Sequence, residues 1–324
     1  MNKFLITGAA GFIGFHVSKA LLDDGGAVTG YDNLNEYYDV SLKHRRLGLL
    51  KEYPRFNFVK GALEDAALVR ETIRQDFDAI IHLAAQAGVR YSLEHPETYV
   101  SSNIVGTFNI LEAARANKTP HILFASSSSV YGANEKAPFS VDDRTDSPVS
   151  LYAATKKSNE LMAYSYSHLF GIPATGLRFF TVYGPYGRPD MALFKFTKNI
   201  LEGKPIEVYN NGDMYRDFTY IDDIVKGTLE LVDKSRALKS KPPFSVYNIG
   251  NNSPVKLSDF VSLVENALGK KAEIVYKPMQ PGDVHKTYAD VEMLMKDTAF
   301  KPETKLKDGI ERFIEWYKAY YNII

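Results

Sequence analysis

The sequence predicts an α/β fold in which a doubly wound parallel sheet is followed by a smaller C-terminal lobe. Short apolar stretches alternate with helical patterns through the first half of the 324-residue chain. A glycine-rich turn follows the first stretch, and an acidic residue ends the second. Beyond about residue 180, loops rich in Gly, Pro, Asn and Asp separate shorter elements. Successive strand–helix units form parallel sheets, so we expect one domain over residues 1–180 and a lobe over 181–324 that returns some elements to the sheet.

Hydrophobic periodicity predicts the positions of the main elements. The predicted strands are residues 4–7, 28–32, 56–59, 79–83, 121–124 and 174–178. The predicted helices are residues 66–74, 97–117, 151–169, 221–232, 257–268 and 309–321. A further helix follows the glycine-rich turn, with Val17, Ala20, Leu21 and Leu22 on one face.

The glycine-rich turn lies between the first strand and the first helix. It contains Gly8, Gly11 and Gly14, and the next strand ends at Asp32. Glycines in such a turn let the backbone approach a pyrophosphate, which the helix N-terminus holds through free N–H groups. The Asp32 carboxylate can bind both ribose hydroxyls and would repel a 2′-phosphate. The pattern predicts a Rossmann-type domain that binds NAD rather than NADP, and the alternative is a purely structural turn.

Four consecutive serines, residues 126–129, follow the predicted strand 121–124 and are called the serine row. Ligands of open parallel sheets bind outside the carboxyl ends of the strands, so the row could face a substrate or simply cap the next segment. Tyr152 and Lys156 follow at i, i+4 spacing in a helical pattern, which places them on one face. A nearby ammonium and a positively charged nicotinamide would lower the Tyr152 pKa and let it act as a general base.

The composition excludes several classes of protein. The chain has 39 basic and 39 acidic residues, so no excess of positive charge predicts binding to nucleic acid or to an anionic membrane. It has no Cys, which excludes disulfides and thiolate metal sites, and the His residues show no metal-ligand spacing. We therefore expect no metal. His82 lies in an apolar strand and is expected to be a core histidine. No apolar run is long enough to span a membrane, and we expect a cytoplasmic protein.

Three motifs resemble the extended short-chain dehydrogenases/reductases that act on nucleotide sugars. They are TGAAGFIG at residues 7–14, SSSSVYG at 126–132 and YAATK at 152–156, and the resemblance covers essentially the whole chain. It implies that Tyr152 is the catalytic base and that Lys156 orients the ribose and lowers the Tyr pKa. It also implies that Ser127 hydrogen bonds the reacting hydroxyl and that Asn103 supports the polar network of the site.

Longer stretches are similar to the UDP-glucuronate 4-epimerases of that family. These include HLAAQAGVRYS, RFFTVYGPYGRPDMALFKFT, RDFTYIDDIVKG and MQPGDV. The chain departs from its relatives at Ala62, where an Asp usually contacts the adenine, and at Tyr186, where a Trp is usual. Many UDP-galactose 4-epimerases have Asn at Thr181 and Arg at Gln280, so these positions weaken a galactose assignment.

Two features favour an anionic sugar and a reaction without elimination. Family dehydratases carry an Asp-Glu pair after the catalytic hydroxyl and decarboxylases carry Ser-Glu, whereas this chain has Ser128 and Ser129. Without a carboxylic acid there, elimination has no proton donor, while two hydroxyls can donate to a carboxylate. Arg188 follows the last predicted strand of the large sheet, and its guanidinium suits a planar carboxylate. The alternative is a surface Arg that closes a turn.

The resemblance therefore implies reversible C4 epimerisation of UDP-glucuronate to UDP-galacturonate with tightly bound NAD. The alternatives are a 4-epimerase of UDP-glucose or UDP-N-acetylglucosamine and, from another class, an NAD-binding protein without catalysis. We also expect a homodimer in which helices 97–117 and 151–169 pack against the second subunit. The expected cofactor-binding residues are Gly8, Gly11, Phe12, Ile13, Gly14, Asp32, Asn33, Asn35, Leu83, Ala84, Ala85, Tyr152, Lys156 and Phe179. The expected substrate-binding residues are Arg90, Ser127, Ser128, Ser129, Tyr152, Thr181, Arg188, Met191, Arg216, Gln280 and Asp283.

Overall fold

The computed structural model describes residues 2–279 and 284–323. The strands are β1 (Lys3–Thr7), β2 (Ala27–Asp32), β3 (Phe56–Lys60), β4 (Ala79–His82), β5 (Ile122–Ser127), β6 (Ala174–Phe179), β7 (Thr181–Tyr183), β8 (Ile206–Tyr209), β9 (Tyr215–Tyr220), β10 (Phe244–Ile249), β11 (Pro254–Lys256) and β12 (Ile274–Lys277). The helices are α1 (Phe12–Asp23), α2 (Val40–Lys51), α3 (Ala66–Ile73), α4 (Tyr91–Glu94), α5 (Pro96–Tyr99), α6 (Gly106–Asn117), α7 (Leu151–Phe170), α8 (Ala192–Glu202), α9 (Ile221–Lys234), α10 (Leu257–Leu268), α11 (Glu292–Asp297) and α12 (Leu306–Tyr320).

The predicted doubly wound sheet is confirmed. Within the described residues it has seven parallel strands in the order β10-β6-β5-β4-β1-β2-β3. Both faces are covered, because Phe4 and Ile6 of β1 pack in one apolar cluster while Leu5 between them packs in another. The strand order reverses at β1, which has β2 on one side and β4 on the other. The carboxyl ends of these strands therefore flank the crevice where such sheets bind ligands.

The second half of the chain contributes to both the large sheet and two smaller ones. Strand β10 pairs with β6 at the edge of the large sheet, so the sheet includes a strand from beyond residue 180. Among the described residues, β11, β9 and β7 form one small sheet, and β12 and β8 form the other. The division into domains at residue 180 stays a prediction. No helix within residues 2–279 and 284–323 is both long and apolar enough to cross a membrane.

Several predicted boundaries were wrong. The helix expected over 97–117 is divided into α5, a π-helical segment (Val100–Val105) and α6. The strand expected to end at residue 124 continues to Ser127, so two members of the serine row lie within β5. Helix α2 was not predicted, because its buried face includes Lys43 and Arg46, which a hydrophobic pattern counts as polar.

Candidate active site

A large cleft opens at the carboxyl ends of the central strands and has a volume of about 1080 Å³. It brings together residues from the glycine-rich turn, the serine row, helix α7 and the loop that contains Arg188. Two expected substrate residues, Gln280 and Asp283, lie outside the described residues. The other expected site residues line the cleft: Gly8, Gly11, Phe12, Ile13, Gly14, Asp32, Asn33, Asn35, Leu83, Ala84, Ala85, Arg90, Ser127, Ser128, Ser129, Tyr152, Lys156, Phe179, Thr181, Arg188, Met191 and Arg216.

The glycine-rich turn leaves no room for side chains on the wall of this cleft. Gly8 has a φ of +75°, a backbone conformation that favours glycine. A Cβ on Gly14 would lie 2.0 Å from the Gly8 carbonyl oxygen. Gly11 is the N-cap of α1, and none of the described side chains caps this helix. The free N–H groups of the first turn and the close backbone approach fit a pyrophosphate, so the residues present suit a dinucleotide.

The carboxylate of Asp32 is fixed at the end of β2 by the backbone around it. Its Oδ2 accepts a hydrogen bond from the Ala10 N–H at 3.0 Å, and its Oδ1 accepts one from the Leu34 N–H at 2.8 Å. The Lys43 Nζ, which sequence reasoning missed, donates to the carbonyl and side-chain oxygens of Asn35 at 2.6 and 2.5 Å. Two backbone bonds and a buried lysine therefore fix the segment expected to hold the adenosine ribose.

The resemblance leads us to expect the adenine at the corner of the cleft lined by Gly61 and Leu63, beside Ala62. Ala62 has no polar side-chain atom, and its carbonyl oxygen accepts a hydrogen bond from the Tyr31 hydroxyl at 2.7 Å. A Cβ on neighbouring Gly61 would lie 2.5 Å from the same hydroxyl. This corner is therefore closed by tyrosine packing and a backbone acceptor.

The four serines of the serine row have different environments. Ser126 points away from the row's other members and donates to the Glu160 carboxylate at 2.6 Å. Ser127 accepts a hydrogen bond from the Ser129 N–H at 3.1 Å, which caps the short 3₁₀ turn that follows β5. Ser127, Ser128 and Ser129 line the cleft. The row is both a turn cap and a set of hydroxyls facing the cleft, so the two readings of the sequence are compatible.

Tyr152 and Lys156 lie in the first two turns of α7 and face the cleft, as their spacing predicts. The Lys156 Nζ donates to the Ala125 carbonyl oxygen at 3.0 Å, and burial lowers its pKa to about 8. Burial raises the pKa of Tyr152, and hydrogen bonding with Ser127 and the positive charge of Arg188 offset this only in part. The Arg188 charge thus favours the phenolate, and the lowering of the Tyr152 pKa expected from Lys156 and a bound nicotinamide stays a prediction.

Asn103 connects the strand exits to α7. The π-helical segment turns its side chain inward, where it is 1% exposed. Its amide nitrogen donates to the Gln86 carbonyl and the Thr155 hydroxyl, both at 3.0 Å, while its oxygen accepts from the Gln86 N–H at 2.8 Å. The Asn159 side chain then donates to the Asn103 carbonyl at 2.7 Å. This network fixes α7, and therefore Tyr152, relative to the end of β4.

His82 is a core histidine, in agreement with its apolar strand. Its Nδ1 lies 2.7 Å from the Thr7 hydroxyl and its Nε2 lies 3.1 Å from the Thr107 hydroxyl. Burial, with a smaller contribution from the charge of Lys156, lowers its pKa to about 3, so the ring is neutral. No cluster of three or more His, Asp or Glu side chains within residues 2–279 and 284–323 is arranged to hold a metal ion.

Arg188 has an acidic partner that the sequence did not reveal. Its Nε and Nη2 donate to the two carboxylate oxygens of Asp190 at 3.0 and 2.5 Å. The Tyr37 hydroxyl donates to the same carboxylate at 3.0 Å. Both members of the ion pair are about a quarter exposed and line the cleft. Arg188 is thus a partly buried cleft residue whose carbonyl also accepts from the Met191 N–H in a turn at 3.2 Å, and its role as a carboxylate ligand stays a prediction.

A second arginine, Arg46 of α2, joins the glycine-rich turn to the loop before Arg188. Its Nη1 donates to the Ala10 carbonyl at 2.9 Å and its Nη2 donates to the Tyr186 carbonyl at 2.6 Å. The side chain is fully buried, and the ion pairs of the described residues include none with Arg46. It is a buried cation held by neutral oxygens, which no motif in the sequence indicated.

The remaining substrate candidates lie at the outer part of the cleft. The Arg90 guanidinium lies over the Tyr209 ring at 4.6 Å from its centroid. The Arg216 Nη1 donates to the Tyr215 carbonyl at 2.9 Å. Thr181 and Met191 lie on either side of the Arg188 loop, the first in β7 and the second as the N-cap of α8. The lining of the cleft therefore combines the cations Arg90, Arg188 and Arg216 with the hydroxyls of the serine row.

Comparison with known proteins agrees with this geometry. The model of the NAD dependent epimerase/dehydratase family matches residues 4–250. A probable UDP-glucuronate 4-epimerase of Rhizobium meliloti is 51% identical over 98% of this chain and 98% of its own length. UDP-glucuronate 4-epimerase 6 of Arabidopsis thaliana is 51% identical over 98% of this chain and 72% of its own length. The crystal structure of UDP-glucuronic acid 4-epimerase from Bacillus cereus, in complex with UDP-glucuronic acid and NAD, has a TM-score of 0.92 and 36% identity over 98% of this chain and 100% of that one. The chain belongs to the NAD dependent epimerase/dehydratase family.

Proposed function

We propose that the protein is an NAD-dependent isomerase that interconverts UDP-glucuronate and UDP-galacturonate by inversion at C4. The observation that carries the proposal is the cleft at the carboxyl ends of the strands, which brings Tyr152, Ser127 and Arg188 together in its lining. In UDP-glucuronate the reacting carbon is C4, and the neighbouring carbon, C5, carries the carboxylate. A proton acceptor for O4 and a cation for the carboxylate are therefore needed close to each other. Relatives named UDP-glucuronate 4-epimerase at about 50% identity over nearly the whole chain support the same substrate.

The dinucleotide belongs against the glycine-rich turn. Gly8, Gly11 and Gly14 allow the close backbone approach, and the N-terminus of α1 offers N–H groups to the pyrophosphate. Asp32 holds the ribose. When bound, NAD⁺ accepts a hydride from C4 of the sugar and later supplies it to the opposite face. Because no net oxidation takes place, the protein should retain the cofactor from one turnover to the next.

Tyr152 acts as the general base for the O4 hydroxyl. Burial raises its pKa, so the phenol needs positive charge nearby to ionise near neutral pH. Arg188 supplies part of that charge. Lys156 lies one turn after Tyr152 on the same face of α7, and its ammonium orients the ribose. Ser127 hydrogen bonds the reacting oxygen, and its position is fixed by the Ser129 N–H. The 4-keto sugar then rotates in the cleft, so that its other face meets the cofactor, and C4 is reduced to give the epimer.

The sugar carboxylate must be held still during this cycle, because the 4-keto intermediate is a β-keto acid that can lose CO₂. Ser127, Ser128 and Arg188 are the groups that hold it. They keep the C5–C6 bond out of line with the carbonyl π system, which is a positioning role. No acid stands at Ser128 or Ser129, so elimination across C5 and C6 has no proton donor there.

One incubation tests the proposal. The purified protein is mixed with UDP-glucuronate without added NAD, and the products are separated and identified. UDP-galacturonate is the expected product. A UDP-pentose with CO₂ would mean decarboxylation, and comparable turnover of UDP-glucose would favour a neutral-sugar epimerase. No conversion by protein that contains NAD would favour a binding protein without catalysis.

Two variants assign the roles within the same assay. Tyr152→Phe should lose activity by about 10²- to 10⁴-fold while it keeps its NAD, because only the proton acceptor is removed. Full activity in this variant would exclude Tyr152 as the base. Arg188→Ala should lose UDP-glucuronate turnover and release more CO₂ per product formed. Unchanged turnover and CO₂ yield would exclude Arg188 as a carboxylate ligand.

We further propose that two copies of the chain form a homodimer through helices α6 and α7. These helices contact each other, yet they leave large apolar side chains exposed: Phe108 of α6 and Leu161, Tyr164, Leu169 and Phe170 of α7. Leu161 and Leu169 are 57% and 68% exposed, respectively. Contiguous apolar surface of this kind indicates a protein interface, and a second copy of the same helix pair would cover it.

Light scattering after gel filtration tests the dimer. Wild type should elute with twice the mass of one chain, and Leu161→Glu should shift the mass toward that of the monomer. Glu207→Lys, an exposed charge change far from α6 and α7, is the control and should leave the mass unchanged. A monomeric wild type would overturn the proposal.

A further inference from the structure

The guanidinium of Arg188 has two edges that can bind a carboxylate, and only one of them is available to a ligand. Asp190 occupies the side-on edge through Nε and Nη2. The hydrogen bonds of Arg188 within residues 2–279 and 284–323 go to Asp190 and leave the end-on edge, which consists of Nη1 and the second hydrogen of Nη2, facing no carboxylate; the guanidinium charge also acts to lower the pKa of the nearby Tyr37 hydroxyl. A planar guanidinium can bind two carboxylates at once in this way, one on each edge. The pairing with Asp190 therefore leaves room for a second anion.

Asp190 is itself held by a second group. The Tyr37 hydroxyl donates to its Oδ2 at 3.0 Å. Burial opposes ionisation of Asp190, but the Arg188 charge and the hydrogen bonds from Arg188 and Tyr37 outweigh it, and its pKa lies below the usual range. Burial, assisted by the Asp190 charge, raises the pKa of Tyr37 to about 12, so the phenol remains a donor. Asp190 is thus an ionised acceptor fixed from two directions.

Tyr37 also has a fixed position. Its ring packs edge-on against Tyr91, with 4.8 Å between the centroids. A Cβ on Gly88 would lie 2.6 Å from its hydroxyl oxygen, so the chain around the phenol is tightly packed. Tyr37 lies in the segment between β2 and α2, two residues beyond Asn35. The segment expected to hold the adenosine ribose therefore reaches the arginine expected to hold the sugar carboxylate.

Two roles are open to an acid beside such an arginine. Asp190 could compete with the substrate for the guanidinium, in which case its removal would strengthen binding. Alternatively, it could fix the guanidinium plane of a side chain that otherwise has many rotamers, in which case its removal would weaken binding. The geometry favours the orienting role. Asp190 occupies only the side-on edge of the guanidinium, so it leaves the end-on edge to a substrate carboxylate. The hydrogen bond from Tyr37 fixes Asp190 itself.

We propose that Asp190 and Tyr37 are positioning residues, which orient the Arg188 guanidinium so that its end-on edge receives the carboxylate of a UDP-hexuronate. The inference rests on the proposed function, since it gives Arg188 the same ligand. It goes further by assigning the preference for an acidic sugar to the adjacent pair Arg188 and Asp190 together with Tyr37, which lies 153 residues from Asp190 in the sequence. Arg188 touches the substrate, while Asp190 and Tyr37 act through it.

The test compares Asp190→Asn and Tyr37→Phe with wild type, all as NAD-containing protein. Steady-state kinetics with UDP-glucuronate gives kcat and KM, and calorimetry gives Kd for UDP-glucuronate and for UDP. Asp190→Asn should lower kcat/KM for UDP-glucuronate by about 10- to 100-fold, the loss expected from a misplaced binding group. Its Kd for UDP, which has no carboxylate, should not change. Tyr37→Phe should give a smaller loss in the same direction, and Asp190→Glu should restore part of the activity.

Tyr53→Phe is the matched control, because the Tyr53 hydroxyl also donates to a carboxylate, that of Asp23, at an exposed site. It should behave as wild type. Tighter binding of UDP-glucuronate or unchanged kcat/KM in Asp190→Asn would overturn the inference, and so would a parallel loss of UDP binding, which would mean a general structural role. If wild type fails to epimerise UDP-glucuronate, the proposed function fails, whereas the two Kd values still decide whether Asp190 acts on a carboxylate.

Discussion

Replacement of Glu160 by Gln would remove the negative charge of a buried ion pair that supports the serine row. Glu160 of α7 accepts hydrogen bonds from the Arg178 Nε and Nη2 at 2.8 and 2.9 Å, and the Ser126 hydroxyl donates to it at 2.6 Å. The side chains of Glu160 and Arg178 are each 4% exposed. The pair therefore connects β5, β6 and α7 beside the catalytic candidates, and Glu160→Gln would leave the Arg178 charge without its partner.

The expected cost follows from burial. Removal of one partner of a buried ion pair destabilises a protein by roughly 3–5 kcal/mol, because the remaining charge stays desolvated. With an unfolding entropy of about 2.1 cal/mol/K per residue, 324 residues give about 0.7 kcal/mol/K. Glu160→Gln should therefore lower Tm by about 4–7 °C. The double variant Glu160→Leu/Arg178→Met should lose less than the single variant, since it leaves no buried charge.

The pH dependence gives a second, independent measurement. Burial opposes ionisation of Glu160, but hydrogen bonds from Arg178 and Ser126 and the Arg178 charge outweigh this and hold its pKa below the ordinary value of 4.5. A carboxylate with a lowered folded pKa contributes its full stability above the unfolded pKa and loses it as the pH falls through the folded value. The Tm difference between wild type and Glu160→Gln should be constant from neutral pH down to about 4.5 and should close at lower pH.

Differential scanning calorimetry at fixed protein concentration measures both effects. Glu311→Gln is the control, because Glu311 pairs with Lys307 at 3.8 Å on the exposed face of α12, with side chains 50% and 70% exposed. Such a pair contributes about 0–1 kcal/mol, so its Tm should hardly change. The reasoning is refuted if Glu160→Gln and Glu311→Gln lower Tm by the same amount. It is also refuted if the Tm difference between wild type and Glu160→Gln stays constant below pH 4.5.

Two further predictions concern the cofactor site. Gly14→Ala should abolish NAD retention, because its Cβ would lie 2.0 Å from the Gly8 carbonyl oxygen. The control is Gly48→Ala, whose Cβ would meet nothing within 4 Å. It should keep its NAD and gain about 0.5–1 kcal/mol of stability. The measurements are NAD released on heat denaturation and Tm, and equal NAD content in the two variants would contradict the prediction. Arg46→Met should lower NAD content and UDP-glucuronate turnover together, because the Ala10 and Tyr186 carbonyls both lose their hydrogen-bond donor. The control is Arg45→Met at an exposed position, which should change neither quantity. Normal NAD content in Arg46→Met, measured in the same way, would show that the buried guanidinium is not needed to hold the glycine-rich turn.

Local sequence patterns predicted the elements that such patterns encode. The 28–32 strand that ends in Asp32, the glycine-rich turn and the Tyr152–Lys156 spacing depend on neighbouring residues, and β2, α1 and α7 place them as expected. Helix α10 begins and ends where its periodicity predicts. Helix α2 failed the same test, because its buried face includes Lys43, which donates to oxygens of Asn35, and Arg46, which donates to the carbonyls of the distant Ala10 and Tyr186.

The sequence by itself determined the fold class, the family resemblance and the side chains that line the cleft, because these depend on short-range periodicity and on motifs with fixed spacing. The tertiary structure decided which partners those side chains have. Asp190 lies 153 residues from Tyr37, and Arg46 lies 140 residues from Tyr186, so no periodic signal connects them. The contact of Tyr37 with the Arg188–Asp190 pair is visible only when the folded chain brings the two sides of the cleft together.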